Sequence, residues 1–93
     1  MKIDPRLFRF LWAIEEHGPF IRAARAEGIS QPALSSKIAI LEQQLGTKLI
    51  DRGRHGARLN SFGRLLLRHA RAIDAIVDRA AEEVRTSVEG SSG

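Results

Sequence analysis

The 93-residue sequence predicts a mainly α domain with a three-helix core, a two-stranded hairpin and one long terminal helix. Three observations carry that prediction. Four stretches place apolar residues three and four apart, the spacing of a buried helix face. Between the third and fourth, "DRGRHG" (residues 51–56) is Gly-rich and basic and separates two short apolar runs, as a hairpin tip does. The fourth stretch keeps its spacing well beyond what the core of so short a chain needs.

Asp4 can cap the first helix, with Pro5 at its first position, where the missing N–H costs nothing. Leu7, Phe10, Leu11 and Ile14 form its apolar face. Phe8 and Trp12 lie on an adjoining face as core or dimer-contact residues, and Gly18 stops the helix. A second, short helix spans residues 19–27, with Phe20, Ala23 and Ala24 inward and Arg22 and Arg25 outward. Its alanines let another helix approach closely. Gly28 then offers a left-handed exit and Ile29 plugs the turn. Ser30 caps the third helix and Pro32 is tolerated in its first turn. Leu34, Ile38, Leu41 and Leu45 make one buried stripe, which ends at Gly46.

Leu49 with Ile50, then Ala57 with Leu59, are the two strands, and Asn60 caps the last helix, residues 61–88. There Leu66, Ala70, Ile73, Val77, Ala80 and Val84 repeat at alternating spacings of four and three, a heptad-type seam. A helix of about 25 residues is nearly 40 Å long, so the seam overhangs a small core and needs a partner helix. The closing "EGSSG" resembles a flexible tail or appended linker. The expected division is 1–60 for the head, 61–88 for the linker helix and 89–93 for the tail.

Charge is unevenly spread. Residues 37–71 hold Lys37, Lys48, Arg52, Arg54, Arg58, Arg64, Arg68 and Arg71 against only Glu42 and Asp51. From residue 74 the balance inverts. A basic middle suggests a polyanion-facing surface on one part of the fold. There is no cysteine, and His17, His55 and His69 have no ligand spacing, so neither disulfides nor a metal site is expected. No activated serine, carboxylate pair or phosphate-cradling Gly loop appears, so neither an enzyme nor a cofactor is expected. The N-terminus lacks the pattern of a signal peptide and no apolar run approaches ~20 residues, which predicts a cytoplasmic, nucleoid-associated protein.

The stretch "SQPALSSKI" (residues 30–38) is polar at its front, where a helix built for packing alone would prefer Ala, Leu, Glu and Lys. Two helices joined by a Gly-containing turn, the second polar at its start, form a helix-turn-helix, and the basic hairpin would be its wing. Such a unit presents the second helix to the DNA major groove, N-terminal end first. Gln31 can bond bidentately to adenine, and Pro32 and the Ala33 methyl can press on a thymine methyl. Ser30 sits at the helix start, whose N–H groups favour a phosphate oxygen. Ser35 and Ser36 suit base edges or phosphates, and Lys37 a guanine edge or a phosphate. Arg22 would hold the opposite strand's phosphates. Arg52, Arg54 and His55 would follow the backbone or enter the minor groove. Arg52 has the alternative of pairing with Glu42 or Asp51 to hold the wing.

Residues 3 to about 86 resemble the N-terminal DNA-binding region of LysR-type transcriptional regulators. The stretches that carry the resemblance are "EEHGPFIRAARAEGISQPALSSKIAILEQQLGTKLIDR" and "RLNSFG". It implies a winged helix-turn-helix, a linker helix that dimerises antiparallel, and binding of the homodimer to an interrupted palindrome in double-stranded DNA, with pairing of dimers into tetramers left open. It also implies a C-terminal domain sensing a small molecule, which these residues do not include. Pro19 stands where the family usually has a capping Ser, Ile21 where Thr is common and Ser36 where Arg is frequent. Ile50 replaces Phe, Asn60 replaces Thr and Phe62 replaces Ala. The alternative function is an interaction module that dimerises with a full-length regulator without selective DNA binding of its own; the polar start of the third helix favours direct DNA binding. The departures predict an altered operator preference. Ser36→Arg should therefore shift the sequence enriched from a random DNA pool, and an unshifted consensus would count against base contact at residue 36.

Overall fold

The computed structural model describes residues 2–53 and 56–92, with the Ser92 side chain left aside. A 3-10 turn, Pro5–Leu7, leads into α1 (Phe8–His17), followed by α2 (Phe20–Ala26), α3 (Gln31–Leu45), strands β1 (Ile50–Gly53) and β2 (Gly56–Leu59), and α4 (Ser61–Ser92). The order is the expected one, with two differences at the ends. The first turn is 3-10 rather than α-helical: Asp4 caps it through the Arg6 N–H, and the Leu7 and Phe8 amides bond three residues back. At the other end, residues 89–92 continue α4 instead of forming a loose tail. Nothing breaks the helix there, because Gly90 is a lone glycine and Ser91 turns its hydroxyl back onto the Ser87 carbonyl.

The core centres on α3. Leu34, Ile38 and Leu41 are 0–1% exposed and meet Leu11, Ala13 and Ile14 of α1 and Ala23 and Ala24 of α2. Leu49, Ile50, Ala57 and Leu59 close the core from the hairpin side. Burying such a Leu or Ile is worth roughly 1.5–3 kcal/mol, so the stripe orients α3 strongly. The strands pair antiparallel, Ile50 opposite Leu59 and Arg52 opposite Ala57. Strand alternation puts Ile50, Arg52, Ala57 and Leu59 on the side facing the helices, and Asp51 and Arg58 on the outer side.

The hairpin is tied down at both ends. Glu42 of α3 accepts the Leu49 N–H at 2.8 Å and lies 3.8 Å from the Lys48 ammonium. Asn60 donates to the Lys48 carbonyl at 2.8 Å and accepts the Gly63 N–H at 2.9 Å, joining the wing to the first turn of α4. Gly63 passes so close to the wing that a Cβ there would sit 2.3 Å from the Leu49 carbonyl oxygen.

α4 does two jobs along its length. Its first turns pack on α1 and β2, burying Leu67 and Ala70, with Leu66 half-buried beside them. This corrects the dimer seam: Ala70 and Leu66 serve the chain's own core, because α4 crosses the head there. The seam's free part starts at Ile73 and runs through Val77, Ala80 and Val84, continuing to Val88; Val77, Val84 and Val88 are about 60% exposed. That overhang gives the molecule its 59 × 29 × 19 Å shape. Among the described residues, no helix is long and apolar enough to cross a membrane.

Gly63→Ala forces the α4 backbone or the wing to move. It should lower unfolding stability by about 1–3 kcal/mol, the usual cost of overpacking, measured as a shift in the urea midpoint.

Candidate nucleic-acid interface

The turn between α2 and α3 is built from local chemistry. Gly28 takes φ of 70°, a left-handed conformation that side chains rarely adopt. The amides of Gly28 and Ile29 fold back onto the Arg25 and Ala24 carbonyls. Ser30 then caps α3, its Oγ accepting the Ala33 N–H at 3.2 Å. Pro32 has no N–H and that of Ala33 is taken, so among the first three helical residues only Gln31 keeps an amide for an anion. The start of α3 is thus a poorer phosphate site than a run of free amides would be.

The buried stripe decides where the polar residues of α3 point. Gln31, Pro32 and Ser36 are exposed, while Ala33 and Ser35 are half-buried. At 100° per residue, Pro32 and Ser36 stand opposite the stripe, and Gln31 and Ser35 lean toward the wing. Lys37 lies on the other flank, near the N-terminal turn. There the Asp4 carboxyl is held below its ordinary range, mainly by hydrogen bonds from the Arg6 side chain and backbone, with the charges of Arg6 and Lys37 adding to them. The structure therefore groups Gln31 and Ser35 with the wing, leaves Pro32 and Ser36 on the outer face of α3, and sets Lys37 on the other flank.

Arg52 pairs with neither Glu42 nor Asp51. Asp51 is on the opposite side of the strand and Glu42 is engaged with Leu49 and Lys48. Arg52 stacks its guanidinium over the Phe20 ring, 4.5 Å from the centroid, and donates to Ser35 Oγ at 3.1 Å. Phe20, Ile21, Gln31, Arg52 and the glycines of the wing line one shallow groove of about 370 Å³. Arg22 of α2, the residue after Ile21, is exposed. Arg54 and His55 lie outside the described residues. Arg22, Lys37 and Arg52 make no ion pair with a described residue; the acids Asp4, Glu27 and Glu42 are matched with Arg6, Arg9 and Lys48. Sequence reasoning missed the role of Phe20 under Arg52 and the exposed Ile21. The signal available was Arg52 on the inward register of β1, which directs a long cation toward the helices. Among the described residues no group of three potential metal ligands occurs.

This arrangement defines a winged helix-turn-helix with a polar helix start and a cationic wing on one side of the molecule. The model of the bacterial regulatory helix-turn-helix proteins of the lysR family matches residues 5–64. A relative from Pseudomonas sp. (strain ATCC 19151), the SDS degradation transcriptional activation protein, is 50% identical over 70 residues, covering 75% of this chain and 23% of its own length. The solved CbnR DBD–DNA complex superposes with a TM-score of 0.80 at 28% identity, covering 92% of this chain and 99% of the other. The BenM DBD/catB site 1 DNA complex gives 0.82 at 28% identity, with 95% of each chain covered. The chain belongs to the lysR family of regulatory helix-turn-helix proteins, which are DNA-binding transcriptional regulators. It spans 23%, 25% and 40% of the length of three curated relatives that it matches.

Ser30→Ala should cost about 1 kcal/mol of stability, the usual value of an N-cap. Amide exchange at Ala33 should quicken, while the α4 amides beyond Leu67 keep their wild-type rates.

Proposed function

We propose that the chain binds double-stranded DNA selectively as a homodimer, with α3 in the major groove, the wing on the backbone or in the minor groove, and an interrupted palindrome as target. The observation that carries this reading is the shared face. The exposed start of α3 and the inner side of the wing are joined through Arg52 and Ser35, so base-reading groups and backbone-facing cations are presented as one surface. Gln31, Pro32, Ala33, Ser35 and Ser36 supply sequence choice. Arg22 and Ser30 supply position on the backbone, Arg54 and His55 of the wing tip join them, and Lys37 adds charge from the flank. The solved relatives bound to DNA support it.

Dimerisation through α4 has two supports. The overhanging half carries a continuous apolar stripe, Ile73, Val77, Ala80 and Val84, which water would otherwise cover. The second support is the resemblance to the lysR family, which implies antiparallel pairing of the two helices.

Selection from a random DNA pool at ~0.15 M salt, where loose electrostatic binding is suppressed, should enrich a two-fold palindrome. Unselective binding would support the interaction-module reading instead. Val77→Glu with Val84→Glu should leave a folded monomer by sedimentation. It should bind the enriched duplex about a hundredfold more weakly, since the second head no longer benefits from the first.

A further inference from the structure

The geometry points to a role for Arg52 beyond charge: it is a positioning residue that makes Ser35 a hydrogen-bond donor to DNA and thereby sets which base edges Ser35 accepts as partners. This rests on the DNA-binding reading above and deepens it.

A serine hydroxyl has one proton to give and two lone pairs to receive. In a helix it commonly spends the proton on the carbonyl four residues back, as Ser91 does on Ser87. Ser35 makes no such bond to Gln31; the hydrogen bond it makes is the one Arg52 donates into its oxygen at 3.1 Å. The oxygen is therefore engaged by a cation, and the proton is unspent among the described residues. A charged donor on the oxygen also polarises the O–H and strengthens it as a donor. Ser35 should then seek acceptors: purine N7, guanine O6 or thymine O4. The cytosine N4 amino group, which only donates, is left the one lone pair that Arg52 does not occupy and should be the weaker partner.

Arg52 can hold this pose because it is fixed on a second side. Its guanidinium lies over Phe20, 4.5 Å from the ring centroid, and strand register sends it toward the helices. A planar, delocalised cation stacks and donates at once; a lysine ammonium is a point charge that does not reproduce both contacts.

The test uses the duplex enriched from the random pool and duplexes altered at each single base pair, with Arg52→Ala, Arg52→Lys, Ser35→Ala, Phe20→Leu and the Arg52→Ala/Ser35→Ala double variant, each first checked for folding by thermal melting. The expected result is that Arg52→Ala, Arg52→Lys and Ser35→Ala all flatten the preference at the same base pair. The loss should be about tenfold, the scale of one strengthened hydrogen bond. The double variant should lose no more than either single one, and Phe20→Leu should lose part of it. The slope of log affinity against log salt should stay within about half a unit of wild type per chain. If instead Arg52→Lys binds like wild type, while Arg52→Ala lowers the slope by about 0.9 per chain and leaves base preference untouched, Arg52 is a phosphate anchor and the proposal fails. The free protein separates the two levels of the argument. Phe20 should shift the Arg52 side-chain proton resonances upfield, and Phe20→Leu should abolish the shift; selective binding without that shift overturns the clamp. The shift present with no selective binding by wild type overturns the DNA reading, and the donor assignment with it.

Discussion

Everything the molecule presents outward depends on burial of one stripe on α3. Leu34, Ile38 and Leu41 are sealed between α1, α2 and the hairpin. With that face fixed, the 100° turn per residue leaves no choice for the others. Pro32 and Ser36 face away from the core, Gln31 and Ser35 lean to the wing, and Lys37 goes to the far flank. A helix of this composition without the stripe would have no preferred face, and the polar start would carry no directional information.

The polar ties are few and each satisfies a backbone group that packing alone would leave open. Glu42 takes the amide of Leu49, and Asn60 bridges the Lys48 carbonyl and the Gly63 amide. Their effect is mechanical as much as energetic. The first holds the wing against α3, and the second holds α4 against the wing, with Gly63 allowing the close approach. In the proposed dimer, these ties would join the outer half of α4 to each head through the wing.

The periodic apolar pattern of α4 divides into a buried part and an exposed part. Its apolar residues repeat without interruption, yet Leu66, Leu67 and Ala70 are spent inside the chain, and the residues from Ile73 outward stand in solvent. The division falls where the helix leaves the head, and the sign of charge changes at almost the same point, from Arg71 to Asp74. The core part of α4 and its exposed apolar part are thus adjacent stretches of a single helix.

The sequence by itself determined the element order, the buried stripe of α3, the capping of Asp4, Ser30 and Asn60, the hairpin and the family. Each of these is set by residues within a few positions of one another, through helical period, cap chemistry and turn glycines, and such local physics is readable along a chain. Tertiary structure alone decided three things. It decided where the seam of α4 stops serving its own core, because that depends on where α1 and β2 cross it. It decided which side of α3 is shared with the wing, which separates Lys37 from Gln31 and Ser35. And it decided that Arg52 rests on Phe20 and bonds Ser35 instead of pairing with Glu42 or Asp51, since a long cation is placed by whatever the fold brings within its reach, and those partners are 32 and 17 residues away in the chain.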